Sequence, residues 1–121
     1  MAVPTSEAPR HLGAVANAYL TKAEEQYKCT IPVGQEHTFR GLLGNYSLRR
    51  RTHGTEVDLR VVGDNGDNVA HYVLSGAGAI RDPEQHNSTV DRRQPLVGAI
   101  IVDIWDAKTD LYKASKAQVA A

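Results

Sequence analysis

The stretch EVDLRVVGDNGDNVAHYVLS, residues 56–75, decides how this chain is read. Val57, Leu59 and Val61 alternate with Glu56, Asp58 and Arg60, the period of a half-buried strand. Gly63-Asp64-Asn65-Gly66-Asp67 is turn chemistry, and Asn65-Gly66 favours a tight reversal. Val69–Ser75 then returns as a partner strand. An antiparallel hairpin is therefore expected at the centre of the fold.

Upstream, Leu12, Val15, Ala16, Tyr19, Leu20, Ala23 and Tyr27 recur at three- and four-residue steps. That spacing predicts an amphipathic helix, which Pro9 suits in the first turn. Residues 1–8 read as a flexible leader, and 9–121 as a single domain. Thr30–Gly34 breaks the helix. Phe39, Leu42, Leu43 and Tyr46 again have helical spacing and predict a short second helix over 35–46. Gly41 and Gly44 each cost such a helix about 1 kcal/mol against alanine, and leave a strand as the alternative.

Downstream, the polar stretch 76–94 reads as a long loop. Leu96–Trp105 is the most apolar run and reads as a strand with Ile100, Val102 and Ile104 on one face. Ala99, Ile101, Asp103 and Trp105 fall on the other. Residues 106–110 make a turn, and 111–119 a final strand or a frayed helix. Val69–Leu74 is also apolar on both faces, with His71 between Val69 and Val73. A sheet apolar on both faces must cover both. Self-association through the sheet, as a homodimer or larger, is the expectation.

The 121 residues are 41% hydrophobic and 23% charged, ordinary values for a globular domain. The formal net charge is zero, so a general nucleic-acid binder is not expected. No apolar stretch approaches the ~20 residues that cross a bilayer, and the first nine residues hold no apolar signal run. A cytoplasmic address is the default, and Asn45-Tyr46-Ser47 and Asn87-Ser88-Thr89 then match the glycosylation pattern by chance. Cys29 has no partner for a disulfide and is expected as a small buried hydrophobe. Arg49-Arg50-Arg51 with His53 reads as a solvated basic loop. Asp82, Glu84, His86 and Asp91 have no metal-binding spacing, so metal is not expected; no phosphate-cradling glycine loop or nucleophile elbow occurs, and no cofactor is expected.

Three stretches resemble the SnoaL-like branch of the NTF2-like superfamily. Gly34–Arg40 is similar to the opening of that family's third helix, Val61–Gly76 to its hairpin, and Ile101–Trp105 to a late strand carrying Asp. The resemblance implies an α+β roll: an N-terminal helix and a short second helix packed on a curved antiparallel sheet (NTF2-like or cystatin-like). The family's usual second helix is missing or very short here. Its last strand often carries an acidic, histidine-containing run, and Lys113–Ala117 has neither group.

Such a roll holds a pocket between helices and sheet. A carboxylate or imidazole in apolar surroundings there becomes a usable base. Asp103 and His71 are the candidate acid–base pair, and Tyr19 the candidate oxyanion donor. Trp105, Ile101, Tyr46 and Phe39 would line the substrate site. The expected function is a small-molecule pocket protein acting on a small hydrophobic substrate, a cofactor-independent isomerase, cyclase or dehydratase. The alternatives are a non-catalytic, self-assembling structural or complex subunit, including a virion or envelope component, and a ligand carrier or sensor.

Overall fold

The computed structural model describes residues 11–51, 56–75 and 78–120, with side chains up to Thr109 in the last element. The chain is an α+β fold in which, among the described residues, a six-stranded, open antiparallel sheet lies between two helices in sequence. Helix α1 spans Leu12–Tyr27. Strands follow at His37–Arg40 (β1), Asn45–Arg50 (β2), Val57–Val62 (β3), Asn68–Leu74 (β4), Ile80–Asp82 (β5) and Ser88–Thr89 (β6). Helix α2 runs Pro95–Ala120. Strand order in the sheet equals sequence order, so every pairing is a simple meander.

Helix α1 forms as its periodicity requires. His11 caps it, its Nδ1 accepting from the Ala14 amide at 3.2 Å. Lys28 ends it in the left-handed conformation. Leu12, Val15, Ala16, Tyr19, Leu20 and Ala23 are all buried. Glu24 then anchors the following segment. Its carboxylate accepts from the Ile31 amide at 2.8 Å and from Arg50 of β2 at 2.9 Å, while Arg50 also donates to the Ile31 carbonyl. The hydrogen bond from Arg50 holds the Glu24 carboxyl below its usual range. The leader and Pro9 lie outside the described residues.

The central hairpin is as the alternation predicts. Val57 pairs with Leu74, Leu59 with Tyr72 and Val61 with Ala70, and all six side chains are buried. Tyr46 and Leu48 of β2 continue that face beside Val61 and Leu59. Both helices bury their apolar sides in the same cluster, so one sheet face is covered by helix. The other face carries Ser47, Arg49, Asp58, Arg60, His71 and Arg81, with Val73 as a buried exception.

Five expectations are corrected. Residues 35–46 form no helix; they supply β1 and the start of β2. The spacing of Phe39 and Tyr46 reflects cross-strand partnership, since the two are paired residues of the β1–β2 ladder. Leu96–Trp105 is helix, not strand, and lies within α2, which continues through the expected 106–110 turn to Ala120. Its β-branched residues fit either period, and an apolar run without alternation does not separate buried strand from buried helix. The 76–94 region holds β5, one 3-10 turn at Pro83–Gln85 and β6 among its described residues, where a loop was expected. Cys29 is exposed just past the end of α1, not buried. Two of the three stretches behind the NTF2-like resemblance thus adopt the opposite kind of structure to the one it implies.

Candidate functional site

The buried polar arrangement among the described residues lies where α2 meets the β1–β2 connection. Gly41-Leu42-Leu43-Gly44 reverses the chain, and the Gly41 amide donates to the Gly44 carbonyl at 2.8 Å. This leaves the Leu42 and Leu43 amides pointing away from the ladder. Asp103 of α2 receives both, Oδ1 from Leu42 at 2.8 Å and Oδ2 from Leu43 at 3.0 Å. The Tyr46 hydroxyl donates to Oδ2 at 2.6 Å. Asp103 is the one charged side chain among the described residues that is buried, at 5% exposure, and these three donors satisfy it. A Cβ at Gly41 would lie 2.5 Å from both Asp103 Oδ2 and the Tyr46 ring, so that position admits only glycine. Burial, reinforced by the bond to Asp103, pushes the Tyr46 hydroxyl far above its ordinary pKa.

Tyr46 begins an aromatic stack. Phe39 lies 5.2 Å from it, and Tyr19 of α1 stacks on Phe39 at 3.9 Å between centroids. His37 closes the row, 5.6 Å from Tyr19. Burial raises the Tyr19 hydroxyl well above its ordinary range, aided by nearby Tyr27, and keeps it neutral. Tyr19, Phe39 and Tyr46 are therefore brought together, with Asp103 at one end. Ile101 and Trp105 are not part of this group. In a helix they sit two residues either side of Asp103, on the far side of α2. Ile101 packs partly against the core, and Trp105 carries the Lys108 ammonium 4.1 Å above its ring.

His71 is on the other face of the sheet. It pairs with Arg60 across the ladder, its Nδ1 3.5 Å from the guanidinium and 3.7 Å from Glu84. Both lie in an open depression of about 380 Å³ with Ser47, Arg49, Asp58 and Glu36. The sheet separates His71 from Asp103, so the expected acid–base pair is not assembled. The error follows from the strand reading of α2, which placed Asp103 in the sheet. The arginine triplet is not a solvated loop. Arg49 and Arg51 both bind Asp58, at 2.8 and 3.0 Å, and Arg50 binds Glu24. His53 lies outside the described residues. No group of metal-ligating side chains occurs among the described residues.

The sequence did hold a signal for the Asp103 cradle. Two glycines flanking Leu42-Leu43 are turn chemistry. No family model matches the chain, and no similar curated protein or solved structure is found. No described helix is long and apolar enough to cross a membrane.

His37 gives this region a pH dependence. Its Nε2 is buried with no hydrogen-bond partner among the described residues, and burial lowers its pKa below the ordinary imidazole value. The unfolded chain then takes up a proton near pH ~6.5 that the folded chain refuses. Stability is expected to fall as pH drops from about 6.5 toward the lowered value, and not to change from this cause above it. Urea titrations of the parent and His37→Leu across that window check this. Equal acid sensitivity in both would move the effect to another group.

Proposed function

We propose that this chain is a non-catalytic subunit that works by self-assembly. The observation that carries the reading is the filled space between helices and sheet. Leu12, Leu20, Tyr46, Leu48, Leu59, Leu74, Ile100 and Ile104 are all fully buried there. The carboxylate best placed for chemistry has both oxygens occupied by the hairpin and Tyr46. Zero net charge removes the long-range self-repulsion that keeps many small domains apart.

The second reading is the cofactor-independent isomerase or cyclase. It draws on Asp103 bordering an open groove of about 480 Å³ with Arg40, Leu42 and Asp106. It is the weaker one because the proposed partner of Asp103 lies across the sheet. A kinship with the NTF2-like roll rests on the β3–β4 hairpin alone. Native mass spectrometry and sedimentation equilibrium test the proposal. A homo-oligomer free of small molecules is expected. A monomer carrying a retained small ligand overturns it in favour of the pocket reading.

A further inference from the structure

Helix α2 is apolar on the side that faces the core and on the side that does not. Val97, Ile100 and Ile104 are fully buried. The opposite side carries Pro95, Gly98, Val102, Trp105 and Thr109, at alternating steps of three and four. That is the spacing of a helix seam that packs on another helix. Gly98 and Ala99 are exposed and small, and Gly98 has open space where a Cβ would stand. Val102 is 59% exposed, and Leu42 of the adjoining hairpin 90%. Leu42 and Leu43 border the same shallow apolar groove as Gly98, Ala99 and Val102, about 390 Å³ in volume. A helix segment apolar on two sides belongs in an interior, and residues 95–105 have core on one side alone.

Resting on the self-assembly reading, we infer that the missing half is the α2 of a second copy, packed antiparallel and centred near Val102. Charge selects that orientation. The first turn of α2 has no acidic residue of its own to offset its positive end. Asp106 is exposed beside the groove. An antiparallel crossing at Val102 sets Asp106 of each copy against the first turn of the other. A parallel crossing would set the two Asp106 carboxylates against each other instead. The small residues at 98 and 99 let the backbones approach, and the two Leu42 side chains close over the flanks.

Val102→Glu tests the site, because Val102 touches solvent in the single chain and its replacement leaves the core intact. Sedimentation equilibrium should show the parent mass halved while the thermal midpoint extrapolated to low concentration stays unchanged. Arg60→Glu, on the polar sheet face, should keep the parent mass. Orientation is read in a Cys29→Ser background under mild oxidation. Val102→Cys should crosslink copies readily and Ala99→Cys poorly. An oligomer that survives Val102→Glu but falls apart with Arg60→Glu overturns this inference and leaves self-assembly standing through the sheet. A parent that is monomeric throughout overturns both. Efficient crosslinking through Ala99→Cys overturns the antiparallel arrangement.

Discussion

Asp103→Ala is expected to destabilise the protein by about 3 kcal/mol, a fall of roughly 10 °C in thermal midpoint. Alanine would remove the acceptor for the Leu42 amide, the Leu43 amide and the Tyr46 hydroxyl together. A buried donor left without a partner costs about 1–3 kcal/mol. The hydroxyl is fully buried and bears the full cost, while the two amides are half-buried and regain part of theirs from water. Asp103→Asn keeps one acceptor oxygen at nearly the same shape. It should lose about half as much, since its amide end then faces a donor. Amide hydrogen exchange gives a second readout, with faster exchange at Leu42 and Leu43 in the alanine variant. An unchanged midpoint in Asp103→Ala would show that the carboxylate does not hold the hairpin, and would return it to consideration as a catalytic group.

Gly44→Ala should cost about as much, near 3 kcal/mol, for two reasons that add. Gly44 has φ 144°, a conformation that residues with a Cβ avoid. A Cβ there would also press into the Val62 carbonyl oxygen and lie 3.0 Å from Gly63 Cα, both main chain and unable to swing aside. Gly66→Ala separates the two effects. Gly66 has φ 86° but nothing within 4 Å of an added Cβ, so its replacement meets only the conformational penalty of about 1 kcal/mol. Urea denaturation of the three proteins measures both. Equal losses at Gly44 and Gly66 would mean that β2 and β3 yield at their ends.

Elements whose apolar residues keep one period were legible in the sequence. Helix α1 and strand β3 have a buried side and a wetter side, burial copied that pattern onto the residues, and the Asn65-Gly66 turn marks where β4 returns. The β1–β2 region misled because its aromatics face each other across two strands joined by a short turn, which brings Phe39 and Tyr46 to a spacing that also fits a helix. Helix α2 misled because it is apolar on both sides, which erases the periodicity that identifies an element. The candidate site inherited that error. Asp103 stands in an apolar run and is buried, but a strand's alternation assigns it the wrong neighbours. Ile101 and Trp105 came with it, although a helix turns them away. The charge pairs of the sheet face, such as Arg49 with Asp58, depend on register between strands and have no signature along the chain.

The meander has a bearing on how the chain reaches this structure. Each strand pairs with its neighbour in sequence, so the six strands join through short loops whose closure removes little conformational freedom. The contact between α1 and α2 is different in kind, because it brings the first and last elements together across almost the whole length of the chain. The slow, topologically demanding part of the search is thereby concentrated in one event, the docking of a late helix onto an early one over a sheet whose own pairings are all local.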